Sequence, residues 1–242
     1  MDLWKSAGWE WSFTWCGVGS REVPEEHIPT LMWVGRCMAL LGGVLCTGDA
    51  PGSDTYFYLG YNQGKRDTMP PAQVYYTRLK KQRAGLFHDP LNGMHEAECY
   101  ETYEAAKALA FKARGSFEGL FPSGIALHTR NAFQVLSEEL CFPRWITVFW
   151  AEPANKKQTR WKGGTNTSIQ ISIMHGVKKV NLYVEEERIK FVAWLEQQLT
   201  KRGIEVPPMS QEPVHAQRVF HIDLPSISKA SQGATSDNPH SV

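Results

Sequence analysis

The chain has 242 residues, 42% of them hydrophobic and 21% charged, and a formal net charge of +1. Those proportions exclude a chain disordered throughout, and the length suffices for one large α/β domain with a substantial core. Near-neutrality supplies no global field to attract DNA or an anionic membrane, so any nucleic-acid contact would rest on a local patch.

Residues 1–10 read as an N-terminal arm without the continuous apolar run of a signal peptide. Residues 11–18 (WSFTWCGV) predict a strand, continuing an aromatic cluster begun by Trp4 and Trp9. These rings suit core and edge packing, or a stacking surface for bases. Over 24–41 a helix is expected, with Pro24, Glu25 and Glu26 at its start and Gly42-Gly43 at its end. The apolar stretch 31–46 is interrupted by Arg36 and is too short to span a bilayer. A strand over 44–47, a helix over 53–62 begun by Ser53 and Asp54, and a strand over 73–77 follow.

Residues 78–99 carry the basic Arg78, Lys80, Lys81 and Arg83 and a polar loop, without a clear element. Helices are expected over 100–114 and 123–139, then a strand over 145–150 (WITVFW) that is apolar on both faces, as in a central parallel strand. Gly163-Gly164-Thr165 opens a helix to about residue 175. After it come a strand over 179–184 and an amphipathic helix over 185–202. An edge strand is expected at 219–222 and a disordered tail over 225–242. Strands separated by helix-length segments predict one Rossmann-like, doubly wound α/β domain over 11–224. Its mainly parallel sheet has about five strands in the order 3-2-1-4-5, with helices on both faces. Cys16, Cys37, Cys46, Cys99 and Cys141 are scattered without a C-x-x-C pair, which argues against a disulfide framework or zinc cage. A soluble, cytoplasmic protein is expected, with no membrane partner.

Three glycine-bearing loops follow strands, where such sheets place their ligands. The first, Gly17-Val18-Gly19-Ser20-Arg21, misses the dinucleotide fingerprint at Glu22, and no P-loop motif exists. In the second, running from Thr47 and Gly48 through Asp49, Ala50, Pro51, Gly52 and Ser53, Asp54 stands at a helix mouth. There it either caps the helix or meets a sugar hydroxyl. Gly163-Gly164-Thr165-Asn166-Thr167-Ser168 forms the third, and its glycines and hydroxyls at a helix start suit a phosphate.

These residues resemble a family. Gly19-Ser20-Arg21, residues 47–54 and Gly163-Gly164-Thr165 are similar to motifs of a Rossmann-like superfamily. It joins the DNA-processing protein A recombination mediators to the Lonely Guy nucleotide phosphoribohydrolases. Arg130-Asn131-Ala132-Phe133-Gln134 resembles a stretch of its phage-encoded relatives. The resemblance covers residues 11–184 and implies a pocket for a nucleotide or nucleotide derivative and assembly as a homodimer. Phosphate and ligand contacts are implied for Gly19, Ser20, Arg21, Gly48, Asp49, Ala50, Gly52, Ser53 and Asp54, and for Gly163, Gly164, Thr165, Asn166 and Thr167. Arg130, Asn131 and Gln134 would reach in from a helix. The Lonely Guy motif P-G-G-x-G-T-x-x-E ends in a catalytic glutamate. Here the aligned positions are Lys162, Asn166 and Gln170, and glutamine exchanges no proton near neutral pH.

Nucleotide binding is therefore the expected function, with no further cofactor and with catalytic residues unassigned. An N-glycosidase using Asp49 or Asp54 is one alternative. A single-stranded-DNA-binding recombination accessory protein, using Arg78–Arg83 and Lys156–Lys162, is another. His128 reads as a pocket base or a buried hydrogen-bonded residue. His88, Asp89, His95, Glu96 and Cys99 are metal-ligating types, but they read as polar loop residues rather than a metal site.

Overall fold

A computed structural model describes residues 12–79 and 88–209. The N-terminal arm, Lys80, Lys81, Arg83, the strand at 219–222 and the tail lie outside the described residues. The elements are β1 (Phe13–Gly19), α1 (Ile28–Leu40), β2 (Gly43–Gly48), α2 (Ser53–Gly64), β3 (Gln73–Tyr76), β4 (Met94–Glu96), α3 (Tyr103–Arg114) and α4 (Pro122–Leu136). They continue with β5 (Ile146–Trp150), α5 (Thr165–Met174), β6 (Lys178–Asn181) and α6 (Glu185–Lys201).

All described strand pairings in the sheet are parallel, in the order β4-β3-β2-β1-β5-β6. The expected order of five strands holds, and β4 adds a sixth outside β3. Its three residues are too few to show a period. Pairing Val74 with Met94 and Tyr75 with His95 creates it. That strand places His95 apart from the 3₁₀ turn Ala97–Cys99, so His95 and Cys99 do not share a helical face. The same turn delays α3 to Tyr103, and α4 stops at Leu136 where Ser137 turns to φ +74°. Asn181 closes β6 three residues before the expected end.

Side-chain alternation divides the interior into two cores. Trp15, Leu45 and Val148 meet α1, α2 and α6 on one face, while Cys16, Cys46 and Phe149 meet α3, α4 and α5 on the other. Both β2 and β5 are buried at every position, which explains why neither alternates apolar with charged residues. Close packing of α1 on α2 needs Gly60, because a Cβ there would overlap the Met32 carbonyl. Successive strands lead outward from β1 to β4 on one side and from β5 to β6 on the other. The loops after β1 and β5 therefore diverge and leave a crevice between them.

Candidate functional site

A cleft of about 1130 Å³ lies at this reversal of strand order. Gly19, Ser20 and Arg21 line it from the loop after β1. The Ser20 amide donates to the Trp150 carbonyl (2.7 Å), and the Ser20 carbonyl accepts from the Ser53 amide (3.0 Å) and Oγ (2.9 Å). At Gly19 a Cβ would fall 2.6 Å from the Trp150 carbonyl oxygen, so only glycine fits. Gly52, at φ +83°, passes so close to Ser20 and Arg21 that a side chain would strike their carbonyls. The first two glycine loops are thus stitched together.

From the second loop only Ala50 and Asp54 line the cleft. Gly48, Asp49, Gly52 and Ser53 stand behind it. Gly48 makes room for the Arg130 guanidinium, which a Cβ there would hit. That guanidinium is nearly excluded from solvent. Its Nη2 lies 3.7 Å from Asp54 Oδ2 and 4.0 Å from Asp49 Oδ1, while Nη1 donates to Asn131 Oδ1 at 2.9 Å. Its Nε is buried without a hydrogen-bond partner among the described residues, as is Gln134 Nε2. Arg130, Asn131 and Gln134 all line the cleft from α4.

Burial pushes the Asp54 carboxyl up to about 6. Arg130 opposes that rise, Asp49 adds to it, and backbone hydrogen bonds from Ala50 and Gly19 hold it back. The buried trio of Arg130, Asp49 and Asp54 would carry a net negative charge if both carboxylates were ionised, which disfavours an incoming anion. A proton on Asp54 removes that conflict.

Gly163, Gly164 and Thr165 line the cleft from the third loop. Gly163 sits at φ +72°, and the Gly164 carbonyl accepts from Asn131 Nδ2 at 3.3 Å. Asn166 and Thr167 brace the loop from behind. Asn166 Oδ1 accepts from the Trp161 amide (3.1 Å), and Thr167 Oγ1 meets His128 Nδ1 (2.8 Å). Burial, then the positive charges of Arg114 and Arg130, carry the His128 imidazole down to about 4, so it lines the cleft uncharged near neutral pH. Gln170 does not line the cleft. Its Nε2 donates instead to the Thr159 carbonyl at 2.8 Å.

No protein-family model, curated protein or solved structure matches this chain.

Residues from all three glycine-bearing loops line one cleft, although the glycines of the second loop stand behind it. Tyr56, Trp150 and Tyr183 also line it and were not expected, and Lys162 and Ser168 at the ends of the third loop line it too. Ser168 follows Thr165 by one helical turn, a period the sequence does show. Tyr56 and Tyr183 carried no motif. The metal-ligating types elsewhere are otherwise engaged. Buried His95 bonds to Gln73 through Nε2 and to Tyr100 through Nδ1, with Glu138 Oε1 at 3.1 Å. His88 Nδ1 accepts from the Glu96 amide. Among the described residues no group of three or more His, Cys, Asp or Glu is placed to hold a metal ion. None of the described helices is long and apolar enough to cross a membrane.

Arg130 can ion-pair with an anion at the glycine turns, and the start of α5 offers backbone N–H groups toward the same space.

Proposed function

We propose that the cleft binds a nucleotide or nucleotide-derived ligand, with its phosphate at Arg130 and the glycine turns. The observation that carries this reading is the Arg130 side chain, a guanidinium that lines the open cleft together with residues of all three glycine-bearing loops. A guanidinium on a cleft wall suits a phosphate, whose charge and oxygens it can meet with charge-assisted hydrogen bonds. The motif resemblance to the DNA-processing protein A and Lonely Guy superfamily supports the same reading, together with the homodimer it implies. Calorimetric titration of adenosine monophosphate and ADP-ribose tests it. Arg21→Ala and Gly164→Asp are expected to weaken binding at least tenfold with the fold intact, and unchanged affinity in both variants would contradict it.

A second reading is an enzyme cleaving the N-glycosidic bond of such a ligand. It is favoured by Asp54, whose carboxyl near 6 suits proton exchange. Release of free base from a nucleotide pool, lost in Asp54→Asn, would establish it. Absence of turnover leaves the binding module. Among the described residues, Lys156, Lys157 and Arg160 are exposed and open to a nucleic-acid backbone. A flat oligonucleotide titration at low salt would remove single-stranded DNA as a partner.

A further inference from the structure

The cleft has two chemically different walls, and they come from opposite faces of the sheet. Arg130, Asn131 and His128 belong to α4 and Thr165 to α5, on the face of the second core. Across the strand ends stand Tyr56 of α2 and Tyr183 just before α6, with Trp150 beneath at the end of β5, on the face of the first core. Arg130 packs on Gly48 at the end of β2, and Tyr183 follows β6. In the order β2-β1-β5-β6 that separation is roughly 14 Å at about 4.8 Å per strand, far longer than a phosphate.

Tyr183 is held by a fixed framework. Its ring meets Trp150 edge-on at 5.5 Å and 68°, and Trp150 is itself packed by the His27 ring at 4.5 Å and the Arg188 guanidinium at 6.0 Å. The Tyr183 amide donates to Asn181 Oδ1 at 3.2 Å. That same Asn181 fastens β6 to β5, accepting from the Ala151 amide (3.2 Å) and donating through Nδ2 to its carbonyl (2.8 Å). Even so, Tyr183 stays 40% exposed. A large ring braced this way and left open on the cleft side is a stacking surface.

We infer that Tyr183 forms a ring-binding subsite. The ligand is an organic phosphate bearing a planar aromatic ring, laid across the crest of the sheet with its anion at Arg130 and its ring against Tyr183. The inference rests on the nucleotide reading and adds where the base lies and what holds it. Stacking tolerates any base, because each offers a π-face, so this subsite selects nucleotides over sugar phosphates rather than one base over another.

Calorimetry with adenosine monophosphate and ribose 5-phosphate tests it on the full chain. The wild-type protein is expected to bind adenosine monophosphate at least tenfold more tightly than ribose 5-phosphate. Tyr183→Ala is expected to remove about tenfold from the nucleotide and leave the sugar phosphate unchanged, and Tyr183→Phe to retain both affinities. Equal wild-type affinity for the two probes, or equal weakening of both by Tyr183→Ala, would overturn the subsite while leaving the anion site standing. Failure of both probes to bind the wild-type protein would overturn the nucleotide reading and this inference with it.

Discussion

Arg130 Nη2 lies 3.7 Å from Asp54 Oδ2 on the wall of the cleft, and both side chains are almost wholly withdrawn from solvent. The pair joins α4 to the mouth of α2, bringing two sequence-distant segments to the same space. With Asp49 close by, it also sets the charge that an anion would meet.

Proton uptake should therefore accompany anion binding. Sulfate is a suitable probe because it does not itself titrate near neutrality. Its affinity is expected to fall as pH rises from 5.5 to 7.5, by up to about tenfold per unit, as Asp54 loses its proton. Asp54→Asn should flatten that profile and bind sulfate more tightly at pH 7.5. A flat wild-type profile would contradict this.

Asp54 also has a stability signature. Its folded pKa, about 6, lies above the ordinary 3.8, so its contribution is complete below pH 3.8 and is lost as pH rises through about 6. The full span corresponds to about 3 kcal/mol. Urea denaturation across this window should show the decline in the wild-type protein and not in Asp54→Asn.

His128 works in the opposite direction. With its pKa lowered from 6.5 to about 4, its contribution is complete above pH 6.5 and is lost as pH falls through about 4. His128→Gln retains a hydrogen-bonding group toward Thr167. It should remove this part of the acid sensitivity, visible as a shallower fall in thermal midpoint between pH 6.5 and 4.

The glycines separate by the space around them. At Gly164 the nearest atom to a built Cβ is 3.8 Å away, so Gly164→Ala should fold normally. Gly19→Ala must push on the Trp150 carbonyl and should cost about 1–3 kcal/mol. Equal thermal midpoints for the two variants would contradict this account of the turns.

A buried network outside the cleft fixes the far side of the sheet. Tyr75 Oη donates to Glu138 at 2.8 Å and accepts from Arg144 Nη2 at 2.9 Å. Burial would raise Glu138, but the His95 and Tyr75 hydrogen bonds and the Arg144 charge carry it down to about 2. Tyr75→Phe should cost about 2 kcal/mol by denaturant titration, since the lost bonds involve charged groups.

Sequence alone exposed the elements with long patterns and hid those made by contact. The apolar run of β5 and the stripe of α6 announced themselves, and the glycine turns marked the ends of β1 and β2. Strand β4 did not, because pairing with β3 creates it rather than any period of its own. Within the cleft, Arg130 and Asp54 were visible through their motif settings. Tyr183 was not, since it lines the cleft only because Asn181 and Trp150 hold it beside strands distant in the chain. The burial of Asp49 was equally hidden, because α4 covers it only after the crossover from β4 to β5 is complete.

The central claim concerns the Arg130 guanidinium on the cleft wall, as the group that meets the phosphate. Nitrogen-15 NMR of the arginine Nε–H groups during titration with adenosine monophosphate observes it directly. The account predicts a large downfield shift of the Arg130 resonance that saturates with the calorimetric Kd. An Arg130 signal that stays fixed while the nucleotide saturates the protein, or a protein that binds no nucleotide at all, would contradict it.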